Sequence, residues 1–384
     1  MTERLYYKDS HLAEFDAAVL SCEKARNGYA VVLDRTAFFP EGGGQSADTG
    51  KIGAADVTDV REEGGEIRHF TAQPVEPGRE YRCRIDWDTR FSRMQNHSGE
   101  HIVSGLVHKL YGYDNVGFHM GEECVTIDFN GELTKAQLGE TERLANEAVT
   151  ANLDIVTAFP SPDELDRMNY RSKKELAGSV RIVTIPGVDV CACCAPHVAA
   201  TGEIGLVKLL SSMRHRGGVR IEMVCGSTAL ADYRQKHESV AAVSAVLSAK
   251  QAEVLHAVER TLEENERLKY KCGELAMELV RLKAQTLEQT RGNICIFDNT
   301  LPDNARRELV NAAVKKCSGV AAVFSGSDGD YRYIIGSASA DLRAAAKVIN
   351  AGIGGRGGGS PEMIQGSASK SRWEIQEFLS NFCI

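Results

Sequence analysis

Two short stretches carry the strongest chemical signal in this chain. His97 and His101 stand four apart in Asn96-His97-Ser98-Gly99-Glu100-His101, and about ninety residues later Cys193 and His197 stand four apart in Cys193-Cys194-Ala195-Pro196-His197. On a helix, residues four apart share a face, so both imidazoles of the first pair can reach one ion. A thiolate with three imidazoles is a zinc donor set, since structural zinc takes four such ligands in a tetrahedron. A single His-x3-His pair more often reflects two unrelated histidines. Two pairs with a sulfur among them favour metal, provided that the fold brings them together. His97-x-x-Glu100-His101 also fits the inverted zincin pattern, with Glu100 as general base of a metalloprotease. That reading leaves Cys193 and His197 unexplained, and a solvated helix residue is the simpler reading of Glu100.

The elements that must position these residues are readable around them. Ile102, Val103, Leu106, Val107 and Leu110 continue the histidine stretch as an apolar helical stripe that Gly112 ends. Upstream, residues 1 to about 88 read as β. Ala30–Leu33 is an apolar run, Tyr81, Cys83, Ile85 and Trp87 alternate with polar residues, and Gly64-Gly65 marks a hairpin. Phe38-Phe39-Pro40-Glu41-Gly42-Gly43-Gly44-Gln45 lies between them; its glycines allow a tight backbone path or close approach of a ligand. No Lys-Ser/Thr follows, so it is not a phosphate-binding P-loop. Downstream, Cys124–Phe129 is a strand, Thr134-x-x-Gln137 opens a helix with a capping box, and Val180–Ile185, Ile204–Leu210 and Val219–Val224 are further strands. Such a mixture predicts a sheet with helices on one face.

From Thr228 to about Thr290 there is no proline and a single glycine. Leu268, Cys272, Leu275, Leu279 and Leu282 step by four and three like a coiled-coil seam. The segment is a long helix or helical hairpin that either pairs with a second copy or packs on its own chain. The last ninety or so residues alternate strands and helices, with strands at Ile294–Phe297, Ala321–Phe324 and Tyr331–Ile335 and a glycine-rich loop from Gly352 to Pro361 around Arg356. A mobile main chain with one guanidinium suits a phosphate backbone followed without sequence reading. The fold class predicted is multidomain α+β: a small β-barrel-like domain over 1–90, an α+β zinc-binding domain over 91–227, a coiled-coil-like helical segment over 228–291 and a small α/β domain over 292–384.

The chain has 384 residues, 43% of them hydrophobic, and a net charge of −8, so no global positive field draws in polyanions and any nucleic acid must be met by local patches. Arg214, Arg216 and Arg220 form one patch and Lys269, Lys271, Arg281 and Lys283 another, each read on charge alone as a solvated face. Eleven scattered cysteines, with neither a signal-like N-terminus nor eighteen uninterrupted apolar residues, predict reduced thiols, no membrane span and a cytoplasmic protein.

Taken together, the motifs resemble the editing domain of alanyl-tRNA synthetases and the free-standing alanyl-tRNA editing proteins, the AlaX group. His97-x3-His101 is similar to that domain's His-x3-His. Cys193-x3-His197 followed by Thr201-Gly202-Glu203-Ile204-Gly205 is similar to its second signature. Asp34 to Gln45 is similar to the family's N-terminal glycine motif, and Gly355 to Pro361 to the loop of the C-terminal, DHH-associated domain. An aminoacylation domain and an Asp-His-His stretch are both missing, so the resemblance implies a long-form, stand-alone editing hydrolase that needs no ATP.

Its substrate would be the ester joining serine, or glycine, to the end of alanine tRNA. A pocket built for alanine cannot exclude glycine by size and rejects serine by only a limited factor, so hydrolysis afterwards is the remedy. By the resemblance, His97, His101, Cys193 and His197 hold one zinc ion per chain. That ion either makes hydroxide available near neutral pH or organises the site, and a filled tetrahedron weighs toward the organiser. His119 would orient water or the ester as the catalytic residue. Gln45 and Thr126 would bind substrate, Thr126 by recognising the serine hydroxyl, and Gly355, Arg356, Gly357, Gly358 and Gly359 would contact tRNA. A homodimer through the helical segment or the C-terminal domain is one use of the apolar seam. A non-catalytic, zinc-stabilised tRNA-binding module is the other alternative to the protease.

Overall fold

Alternation of apolar and polar residues builds the first part of the chain into six antiparallel strands. In the computed structural model, which describes residues 2–121, 123–172 and 179–383, these are Glu14–Ala25, Gly28–Leu33, Gly50–Ile52, Ala55–Glu63, Glu66–Thr71 and Glu80–Ile85. They close into a barrel. Its core takes one side chain in two from each strand, among them Val31, Leu33, Ile52, Val57, Val60, Ile67, Cys83 and Ile85. Gly64 and Gly65, at φ 62° and 83°, make the two-residue hairpin turn. Trp87 does not extend the last strand as its alternation suggested. Asp86 accepts from the Thr89 amide as an N-cap, and the helix Trp87–Tyr111 begins at once.

That helix, ended by Gly112 at φ 71°, buries Met94, Ile102, Val103, Leu106 and Val107. Their partners are Val125, Ile127, Phe129, Val219, Ile221 and Met223 of a four-stranded antiparallel sheet, ordered Val207–His215, Gly218–Cys225, Val125–Phe129, Asn115–Met120. The helix Lys135–Thr150, opened by the predicted Thr134/Gln137 capping box, packs into the same core through Ala145, Ala148 and Val149. A second sheet of three strands is made of Val156–Ala158, Ile182–Ile185 and Asp189–Ala192. The strand expected at Ile204–Leu210 starts only at Val207, because Thr201–Ile204 winds into a single 3-10 turn.

The chain divides into two compact units, Met1–Ala241 and Ala242–Ile384, with the division inside the helix Gly226–Val246. In the second unit the helix Val254–Thr286 turns Ala276, Met277, Leu279 and Val280 onto Ala305, Leu309 and Ala313 of the helix Asp303–Val314. Most of the predicted seam, Leu268, Cys272, Leu275 and Leu282, stays exposed on another side. A five-stranded sheet follows in the order Ile294–Phe297, Val320–Ser327, Asp330–Ser337, Met363–Ala368, Gly355–Gly359. The glycine-rich stretch is therefore no mobile loop. It is a strand on the sheet edge, laddered to Met363–Ala368, where a Cβ on Gly357 would come 2.4 Å from the Tyr333 hydroxyl.

Candidate metal centre

The helix places His97 and His101 one turn apart, 1% and 2% exposed, beneath the segment that follows strand Asp189–Ala192. That segment delivers Cys193 and the buried His197. One ligand atom from each of the four residues lies within 4.8 Å of the others. Cys193 Sγ is 3.5 Å from His97 Nε2 and 3.4 Å from His197 Nε2. Zinc–sulfur and zinc–nitrogen bonds at a tetrahedral angle set those atoms about 3.6 Å apart, so the spacing is compatible with a zinc ion.

What faces away from the centre is as informative. The Nδ1 atom of each imidazole is engaged behind the ring: His97 by Gln45 Oε1 at 3.0 Å, His197 by Ser98 Oγ at 3.0 Å and His101 by Asp189 Oδ2 at 2.9 Å. A donor Nδ1–H leaves the Nε2 lone pair free, so the acceptor oxygens of Gln45 and Asp189 select the metal-binding tautomer of His97 and His101, and Ser98 Oγ, which can accept or donate, holds the His197 ring in place. Asp189 is in turn held by Arg171 through Nε at 2.7 Å and a terminal nitrogen at 2.9 Å. The strand reaches His101 because residue 105 is glycine; a Cβ there would come 2.6 Å from Asp189 Cβ and from the Val188 carbonyl.

For Cys193 and His197 the electrostatics point the same way. Burial pushes the Cys193 thiol up, but His97, His101 and His197 outweigh it and hold the group well below the ordinary thiol value, toward the thiolate that metals bind. Burial drives His197 down to about 3, keeping it a neutral donor. For His101 burial acts downward, but the Asp189 carboxylate and the cysteines reverse it and raise the ring. Asp189 is pushed up by burial and brought below the usual carboxylate range by His101 and Arg171.

The glycine loop reaches the centre through a short turn, with paired Gly42 and Gln45 amides and carbonyls at 3.0 Å and Gly43 and Gly44 at φ 62° and 83°. A Cβ on Gly44 would come 2.4 Å from the Phe118 ring. A cavity of about 600 Å³ opens beside it, walled by His97, His101, Cys193, Val116, Phe118 and Arg181, among others. It has room for a small acyl group and a nucleoside.

Not every expected site residue faces this cavity. Gln45 is 1% exposed, with its Oε1 3.0 Å from His97 Nδ1, and its Nε2 meets no acceptor among the described residues. His119 and Thr126 are cross-strand neighbours. Val125, Ile127 and Phe129 take the sheet face toward the helices, so Thr126 and His119 occupy the opposite face, away from the cluster. Glu100 is not a solvated residue either: it is 1% exposed and accepts from Ser104 Oγ at 2.6 Å and Asn115 Nδ2 at 2.5 Å. Gly355–Gly359 belongs to the second compact unit. Of the basic patches, Arg220 is paired with Asp128 at 2.7 Å and Arg214 with Glu132 at 3.2 Å. The sequence reading missed Asp189, Arg171, Ser98 and Arg181. Only Ser98 carried a signal, by its place between the two histidines.

Two family models match the chain: tRNA synthetases class II (A) over residues 3–89, and the threonyl and alanyl tRNA synthetase second additional domain over residues 180–222. The alanyl-tRNA editing protein AlaX-L of Pyrococcus horikoshii is 28% identical, in an alignment covering 98% of this chain and 96% of that protein. The alanyl-tRNA editing protein Aarsd1 of Rattus norvegicus is 25% identical, over 98% of this chain and 97% of that one. An alanine–tRNA ligase of Pyrococcus abyssi is 29% identical over 98% of this chain, which corresponds to 43% of the ligase. No helix among the described residues is long and apolar enough to cross a membrane.

Proposed function

We propose that this chain, similar to alanyl-tRNA editing proteins over 96–97% of their length, hydrolyses the ester of mischarged alanine tRNA, with serine as the principal acyl group and glycine as the second. The observation that carries the reading is the centre itself: three imidazoles locked from behind by Gln45, Ser98 and Asp189 converge with a thiolate on one point. That donor set fits zinc, held by His97, His101, Cys193 and His197. When bound, zinc supplies a fixed positive charge that polarises neighbouring groups. The chain's own residues do the rest. Gln45, Ser98 and Asp189 hold the rings, while Val116 and Phe118 wall off one side of the cavity and so limit the water that reaches the ester.

In the reaction the oxygen of a water molecule bonds to the ester carbonyl carbon and the bond from that carbon to the ribose oxygen breaks. Of the water's two protons one goes to the ribose oxygen and the other to solvent, and the amino acid leaves as its carboxylate. Along the chain we assign the hydrolytic centre to residues 91–227 with Gln45 from 1–90, a connecting role to 228–291, and tRNA contact to 292–384 through the exposed edge strand and Arg356.

The buried, twice-bonded carboxylate of Glu100 argues against a peptidase general base. The deciding experiment is deacylation of Ser-, Gly- and Ala-charged alanine tRNA by the purified protein, with zinc measured alongside. Release of serine well above the uncatalysed rate, with Ala-tRNA spared, is expected; binding without turnover would leave the non-catalytic module.

A further inference from the structure

Arg181 is 6% exposed and has no carboxylate partner among the described residues. One terminal nitrogen donates to the carbonyls of Cys193 at 2.9 Å and Ala195 at 2.8 Å, bracing the turn that carries the thiolate. The guanidinium carbon lies 5.4 Å from the centre of the Tyr7 ring. Its Nε–H is buried and meets no acceptor among the described residues. Burial works against its charge, with the neighbouring Cys193 and Tyr7 opposing that effect. A buried cation with an idle donor is costly to keep unless a ligand completes it. Arg181 is also a wall of the cavity that holds His97, His101 and Cys193.

We propose that Arg181 binds an anionic oxygen of the substrate in the cavity beside the metal centre, with a guanidinium whose donors the fold does not all use. The inference rests on the editing reading. An aminoacylated RNA end offers two such oxygens. One belongs to the phosphodiester 5′ of the terminal ribose. The other is the ester carbonyl oxygen, which becomes negative as water adds to its carbon and returns to a carbonyl as the ribose oxygen departs. Guanidinium suits both, because its N–H donors are planar, permanently charged and weakly hydrated. For the carbonyl oxygen, one preorganised donor is worth roughly 100- to 1,000-fold in kcat.

The test compares wild type, Arg181→Lys and Arg181→Gln, each with zinc content and Tm measured. The first readouts are kcat and KM on Ser-charged alanine tRNA. The second is binding of adenosine and adenosine 5′-monophosphate, which needs no turnover. At least one zinc-loaded, folded variant is expected to lose tenfold or more in kcat/KM. A rise in KM, with wild type preferring the monophosphate over adenosine and the variant not, assigns the phosphodiester. A fall in kcat without that preference assigns the carbonyl oxygen. Zinc-loaded variants with wild-type kcat and KM overturn the proposal, as does loss of zinc from both, which would make Arg181 a brace for Cys193 only. If wild type deacylates nothing, the editing reading fails first. A monophosphate preference that depends on Arg181 would then still support anion binding, and equal binding of both probes would end both readings.

Discussion

The guanidinium of Arg90 closes on the carboxylate of Asp48, with both side chains withdrawn from solvent. Arg90 also donates to the carbonyls of Ala37 at 2.5 Å and Ser10 at 3.1 Å, while Asp48 accepts from the Phe39 amide at 2.6 Å. This pair fastens the helix carrying His97 and His101 to the loop carrying Gln45. Removing one partner of a buried pair leaves an uncompensated charge, so Arg90→Met is expected to cost about 3–5 kcal/mol. Urea denaturation at neutral pH measures it, and a loss under 1 kcal/mol would show that the pair does not fasten the two elements.

Asp189 bonds the Nδ1 side of His101, leaving the ring's Nε2 to the cluster. Asp189→Asn keeps an acceptor but weakens its hold on the ring and on Arg171, so zinc affinity should fall about 10- to 100-fold with the fold retained. Competition against a chromogenic chelator reads this directly, and an unchanged Kd would remove Asp189 from the centre's support.

His69 sits inside the barrel between the Val31 carbonyl, 3.0 Å away, and Thr36 Oγ1, 2.8 Å away. Burial lowers its pKa from 6.5 to about 4, against a smaller upward pull from the Val31 carbonyl. Between those values the unfolded chain binds a proton that the folded chain refuses. Stability is therefore full above pH 6.5 and falls as the pH drops toward 4, by on the order of 3 kcal/mol. In His69→Gln, stability measured from pH 7.5 to 4.5 should start lower and slope less. An identical slope would assign the acid sensitivity elsewhere.

Glu100→Gln tests the choice of chemistry. With the carboxylate serving Ser104 and Asn115, deacylation should keep most of its rate, and stability should fall by roughly 1 kcal/mol as one acceptor becomes a donor. Complete loss of activity in a folded, zinc-loaded variant would restore Glu100 to the reaction.

Arg356 lies on the exposed edge strand of the second unit. If it meets a phosphate, Arg356→Ala should weaken tRNA binding and make the slope of log K against log salt shallower by about 1. The same slope and affinity as wild type would place tRNA elsewhere.

The four residues of the cluster were legible in the sequence because both pairs use the same short spacing; a helical period turns that spacing into proximity for His97 and His101, whereas Cys193 and His197 lie in an irregular segment after a strand. The barrel hairpin at Gly64-Gly65 and the Thr134 cap were legible for a similar reason: each is local. The faces of Thr126 and His119 were not. A strand's alternation says that two residues share a side, but which side meets the helices depends on elements far along the chain. Asp189 and Arg171 escaped because packing makes both contacts: Asp189 meets His101 across 88 residues of sequence, and Arg171 meets Asp189 across 18. Gly355–Gly359 escaped because a strand without side chains has no hydrophobic period to read. The leucine seam was legible as apolar, yet the surface that the helix turns onto its own unit is centred on Ala276, Met277 and Val280.

The three imidazoles are anchored by a glutamine from a barrel loop, a serine of their own helix and an aspartate from a strand. Their orientation is thus a product of folding and does not wait for the ion. Zinc fingers gain their fold from the metal, so a chelator unfolds them. Here the entropy of arranging the donors is already spent when the barrel and helix meet, and loading is chiefly an exchange of protons for metal. Stripping and restoring the ion should then act as a reversible switch on a chain that stays folded.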